Sequence, residues 1–122
     1  MTAAVLAGIA GFGALGAVAR ASVQAIALRK EKIPFFAGTL IVNLSGAFAL
    51  GLLHGAGASG TWIKLAGAGF LGAFTTFSGW MLETERLNEL SRRTAVGYLL
   101  IPLAMGVLLA WLGNTIGQQL LS

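Results

Sequence analysis

Four long apolar stretches, each bounded by polar or turn-forming residues, dominate the chain. The first covers about residues 3–28 and stops at Arg29-Lys30-Glu31-Lys32. The second covers about 34–53. It begins near Pro34, whose missing N–H suits a helix start, and it gives way to a glycine-rich loop over residues 54–60. The third covers about 62–82, and after a polar connector (83–93) the fourth covers about 94–120. At roughly 20 apolar residues per bilayer crossing, each stretch is long enough to span once. The short, turn-punctuated alternation of a membrane β-barrel is missing. The pattern predicts a single all-α integral membrane domain of four transmembrane helices in 122 residues.

Composition agrees, with 57% hydrophobic residues, 10% charged and a mean hydropathy of +0.84. A soluble domain carries about a quarter charged residues, and a disordered chain is poor in apolar ones. The net charge of +4 would suggest nucleic acid in a soluble protein, but here the basic residues flank the apolar stretches. Arg29, Lys30, Lys32, Arg86, Arg92 and Arg93 lie in the first and third connectors, against Lys64 alone at the edge of the second. The positive-inside rule then puts loops 29–33 and 83–93 in the cytoplasm and both termini outside the cell membrane. The N-terminal MTAAVLAGIA has neither a basic n-region nor a cleavage site, so it reads as a retained first helix. The absence of cysteine excludes disulfides and thiolate metal sites and leaves the redox compartment open.

Glycines recur along the first three stretches, among them Gly8, Gly16, Gly38, Gly46, Gly51, Gly67, Gly69 and Gly72. Small residues let helices approach closely in lipid, so most of these read as packing positions. Gly11-Phe12-Gly13-Ala14-Leu15-Gly16 matches GxGxxG. That fingerprint requires a preceding strand and a later acidic residue, and here it lies inside an apolar helix with no carboxylate before Glu31. Nucleotide and nucleic-acid binding are therefore not expected.

Polar groups inside the stretches are few, and such groups mark function in membranes. Arg20 is the only charge well inside a stretch. It either snorkels to the headgroups or lines an aqueous vestibule, where it would attract anions. Thr39 and Asn43 are four residues apart and share a helical face. They either glue helices together or offer donors to a pathway. His54 reads as a solvated loop residue. The third stretch holds Gly69-Phe70-Leu71-Gly72-Ala73-Phe74-Thr75-Thr76-Phe77-Ser78-Gly79-Trp80, a poor uninterrupted helix. A break at membrane depth requires its freed backbone groups to be satisfied by protein or to line a cavity, and freed carbonyls are ready cation ligands. The aromatic ring edges nearby carry partial positive charge. No carboxylate falls within the four stretches as bounded here. Donors and positive edges without an acid favour a small anion over a proton or a cation. Such an ion must recover its lost hydration from closely spaced donors.

At these residues the chain resembles the Fluc (CrcB) fluoride channels along essentially its whole length. The match is carried by Gly13-Ala14-Leu15-Gly16-Ala17-Val18-Ala19-Arg20, by Gly38-Thr39-Leu40-Ile41-Val42-Asn43-Leu44-Ser45-Gly46, and by the highly specific GFLGAFTTFS of residues 69–78. The resemblance implies a channel and not an enzyme: an antiparallel dimer of four-helix subunits with the third helix broken mid-membrane. Fluoride would pass through pores along the interface, with a structural Na+ at its centre. By position, Asn43 would be a fluoride donor with Thr39 its neighbour, and Phe77 an aromatic-box ring. Ser78 and Tyr98 would belong to a polar track and Arg20 to the vestibule. Gly72 and Thr75 would give backbone carbonyls to the sodium.

Three departures fall on the pore lining. After TTFS the family usually continues Thr-Phe, where this chain has Gly79-Trp80. Four residues after the tyrosine it usually has serine, where this chain has Pro102, which lacks an N–H and should kink the helix. Trp80 could serve the pathway with its own positive edge and N–H in a homodimer. Alternatively, the chain pairs with an oppositely oriented paralogue that completes a better pore, and the six-to-one charge bias favours this heterodimer. Two other expectations are a proton-coupled small multidrug-type exporter, disfavoured by the missing acid, and a non-conducting structural subunit of a fluoride channel.

Overall fold

The computed structural model describes the backbone of residues 1–121. Helix α1 covers Ala3–Leu28 and α2 covers Ala37–Gly55. The third span is two helices, α3 over residues 60–74 and α4 over Phe77–Leu90, and α5 covers Arg92–Leu121. Among the described residues, four spans are long and apolar enough to cross a bilayer, the third being Gly60–Leu90. There is no strand among the described residues.

Local chemistry sets the helix ends. Thr2 caps α1, its hydroxyl accepting from the Val5 N–H at 3.1 Å, which occupies one of the orphan donors of a first turn. Pro34 does not open α2. Residues 34–36 form a turn, closed by the Ala37 N–H on the Pro34 carbonyl, and the helix follows. At its other end Gly57, with φ 81°, takes the left-handed conformation that ends a helix at little cost to glycine.

The predicted connector over 83–93 is corrected. Residues 83–90 continue α4, and Ser91 alone separates α4 from α5. Glu, Arg and Leu are strong helix formers, so Glu83-Thr84-Glu85-Arg86-Leu87 stays helical although hydropathy reads it as loop.

The α2–α5 pair packs most extensively, α1 lies against α2 and α3, and α4 lies against α5. Close approach depends on glycine. A Cβ at Gly51 would collide with the Ala110 carbonyl on α5, and one at Gly113 with the Phe48 carbonyl on α2. Gly16 meets the Phe70 backbone in the same way, bringing α1 onto α3. Backbone cannot retreat as a side chain can. Gly113→Ala is therefore expected to lower stability by about 1–3 kcal/mol, the range for overpacking, read as a lower melting temperature in detergent.

The buried interior is small. Leu87, Ala95 and Tyr98 form one cluster, with Phe36, Leu40 and Trp80 against it. Outward-facing apolar residues such as Leu15, Val18, Val107 and Trp111 are more than half exposed, as expected where lipid replaces water.

Candidate functional site

The third span breaks at its middle. Thr75 (φ −87°, ψ 161°) and Thr76 (φ −145°, ψ 121°) are extended, so the backbone groups freed here need partners. Several of these partners come from neighbouring elements. The Leu71 carbonyl accepts both the N–H and the hydroxyl of Thr75, each at 3.0 Å. The Ala73 carbonyl accepts Nε–H of Arg20 on α1 at 3.0 Å. Asn43 on α2 grips Thr76 at both ends: its Oδ1 accepts the Thr76 N–H at 2.7 Å, and its Nδ2 donates to the Thr76 carbonyl at 2.9 Å. The Thr76 hydroxyl caps α4, accepting the Gly79 N–H at 3.0 Å. Before the break, Ile63–Leu71 is wound as a wide π-helix, with the Gly72 N–H reaching back to the Gly67 carbonyl. Such winding is rare, and it is often found at functional sites.

A polar cluster lies toward the end of the bundle where α4 meets α5. Thr39, only 1% exposed, donates to Glu83 Oε2 at 2.8 Å and accepts from Gln24 Nε2 at 3.2 Å. Tyr98, 7% exposed, donates its phenol to Glu83 Oε1 at 2.7 Å. Glu83 is seven residues beyond Thr76, about 10 Å along α4 at 1.5 Å per residue. With the break at mid-span, that depth is inside the roughly 15 Å half-thickness of the hydrocarbon core. The expectation of no carboxylate within the membrane segments is thus corrected. Hydropathy placed Glu83 in a loop, whereas hydroxyls from α2 and α5 hold it within the bundle.

Between α2, the break and α5 runs an apolar groove of about 470 Å³. Asn43, Gly72, Thr75, Thr76, Phe77, Trp80 and Pro102 are among its lining residues. Phe77 is 70% exposed, and its ring stands perpendicular to that of Trp80 at a centroid distance of 6.0 Å. The Trp80 indole N–H donates to the Tyr98 carbonyl at 2.9 Å.

Of the residues expected from sequence, the structure gathers Asn43, Phe77, Trp80, Gly72 and Thr75 along this groove. It puts Thr39 and Tyr98 in the adjoining polar cluster. Ser78 is exposed, its hydroxyl 3.4 Å from that of Thr76. Arg20 braces the break from α1 through its Nε–H on the Ala73 carbonyl. His54 is exposed and its Nδ1 lies 3.0 Å from Asn114 Oδ1. Sequence reasoning did not single out Glu83 or Gln24. The available signal was spacing: Gln24 follows Arg20 by four residues and so shares its helical face.

The model of the family described as "CrcB-like protein, Camphor Resistance (CrcB)" matches residues 7–114. The chain is 43% identical over 118 residues to the fluoride-specific ion channel FluC 2 of Mycolicibacterium paratuberculosis, covering 96% of this chain and 97% of that one. It is 45% identical over 109 residues to the fluoride-specific ion channel FluC 1 of Geobacillus kaustophilus, covering 87% and 91%. To FluC 2 of Bacillus thuringiensis it is 38% identical over 106 residues, covering 86% and 90%. No solved structure matches.

Proposed function

The chain belongs to the CrcB family, and from that premise we propose that it is a passive, selective fluoride channel whose pathway runs beside the broken third span, against a second subunit. One observation carries this reading most directly. The break, gripped by Asn43, opens onto a groove whose aromatic wall a lone four-helix subunit leaves uncovered. A second subunit laid on that groove would dehydrate the ion path and bring a second set of donors to it. Phe77 and Trp80 would present ring edges, and Asn43 a second amide N–H beyond the one it gives Thr76. Onward from the groove, the hydroxyls of Thr39 and Tyr98 are the next donors, and an anion reaching them competes with the Glu83 carboxylate for both.

A structural Na+ at the interface fits the chemistry of this chain's donors. No group of three His, Cys, Asp or Glu converges among the described residues, but the break frees main-chain carbonyls. Those of Gly72 and Thr75, together with their counterparts from a second subunit, would hold the ion, which supplies positive charge where two broken spans meet. The six basic residues at one end of the bundle favour a cytoplasmic position for the α1–α2 and α4–α5 connections. They also favour pairing with an oppositely oriented paralogue over dual insertion of one chain.

Glu83 revives the proton-coupled exporter, since such a protein needs an embedded acid. Against it, both Glu83 oxygens are occupied by hydroxyl donors. A growth test separates the two. Cells deprived of their own fluoride exporter and expressing this chain, alone or with a second family member, should grow at fluoride levels that stop the parent cells. Their tolerance of toxic hydrophobic cations should not change. Failure to protect against fluoride in both arms overturns the proposal, and protection only with the second chain establishes the heterodimer.

A further inference from the structure

Pro102 lies inside α5. In an α-helix the carbonyl of residue i accepts the N–H of residue i+4, so the Tyr98 carbonyl would be served by residue 102. Proline has no N–H, and its ring pushes that carbonyl aside. The Trp80 indole, coming from α4, donates to this same oxygen at 2.9 Å. Two departures from the usual family sequence therefore compensate each other across two helices.

The same tyrosine is tied to α4 a second time through its phenol, which donates to Glu83 at 2.7 Å. Residues 80 and 83 are one turn apart on one face of α4. Tyr98 is thus fixed at its carbonyl by Trp80 and at its hydroxyl by Glu83. We propose that Trp80 is a positioning residue that sets the Tyr98 phenol for ion passage, and that it does so only because Pro102 leaves the Tyr98 carbonyl open. The functional part of this inference rests on the fluoride reading; the hydrogen-bond pairing does not. With its N–H committed to Tyr98, Trp80 offers the pathway its ring and not a donor.

The test is a cycle of Trp80→Phe, Pro102→Ala and the double variant, each reconstituted in liposomes. Trp80→Phe strips the indole donor from a carbonyl that Pro102 cannot serve, and fluoride efflux is expected to fall roughly tenfold, the ratio set by about 1.4 kcal/mol. Pro102→Ala restores a main-chain N–H at that carbonyl, so in its background Trp80→Phe should cost less than about twofold. A merely space-filling role for the indole gives equal losses in both backgrounds and overturns the proposal, as does no loss in either. A readout independent of transport is hydrogen exchange of the tryptophan indoles. The Trp80 N–H should exchange far more slowly than that of Trp62, which is 67% exposed near the start of the third span, and Pro102→Ala should speed it. Equal exchange at the two overturns the pairing even if fluoride flux is absent altogether, which would instead count against the channel. If Trp80→Phe does not fold while the double variant does, the coupling appears in folded yield with the same sign. If neither folds, the exchange rates decide.

Discussion

Asn43→Ala is expected to abolish fluoride efflux and to lower the melting temperature of the protein in detergent. The amide of Asn43 satisfies both backbone groups of Thr76, a residue only 8% exposed. Its loss orphans a donor and an acceptor together, at about 1–3 kcal/mol each, in a span where lipid offers no substitute. Thr76 also caps α4 through its hydroxyl, so the displacement passes directly into the helix carrying Phe77, Trp80 and Glu83. A combined cost of about 3 kcal/mol corresponds to more than a hundredfold in any equilibrium that depends on the break. Asn43→Asp separates the parts. It keeps an acceptor for the Thr76 N–H, sets a second oxygen against the Thr76 carbonyl, and puts an acid beside the proposed anion path. It should melt higher than Asn43→Ala and still fail to conduct. Unchanged efflux and melting in Asn43→Ala would show that the break is held by something else.

The second large effect is expected at the polar cluster. Thr39→Val and Tyr98→Phe should each lower fluoride efflux about tenfold or more, since a hydrogen bond to a charged group contributes about 1.5–3 kcal/mol. The two hydroxyls share one acceptor, Glu83. Their losses should therefore not add, because residues in one network couple. Tyr98→Phe leaves the bond from Trp80 to the Tyr98 carbonyl in place, so its effect reports on the phenol alone. A double variant that conducts as fast as the unsubstituted chain would mean that fluoride bypasses this cluster.

Much of this architecture can be read along the chain. Apolar length predicts four spans, and the glycines, threonines and serine of residues 69–78 predict the interruption of the third. Thr39 and Asn43 stand out as paired polar positions inside an apolar helix. What escapes the sequence is held by contacts between helices. Glu83 looks like a loop residue because hydropathy scores its charge and not the hydroxyls that approach from α2 and α5. Nothing in the spacing of Arg20 says that its Nε–H meets the Ala73 carbonyl, 3.0 Å away. Asn43 offers several hydrogen bonds, and no spacing rule says that two of them go to the backbone of Thr76. Trp80 and Pro102 look like two separate departures, 22 positions apart, until α4 and α5 place the indole on the carbonyl that proline leaves unserved. Because Glu83 puts an acid within the bundle, what favours an anion is the set of donors around the break, together with the family to which the chain belongs.

Passive fluoride conduction can be read as ion release from liposomes. Vesicles loaded with potassium fluoride and carrying this chain, or this chain with a second family member, are opened to potassium with an ionophore while an electrode follows external fluoride. Rapid release without any proton gradient, and no release of chloride from matched chloride-loaded vesicles, is the predicted result. Retention of fluoride in both preparations, equal release of chloride, or release only under a proton gradient would contradict it.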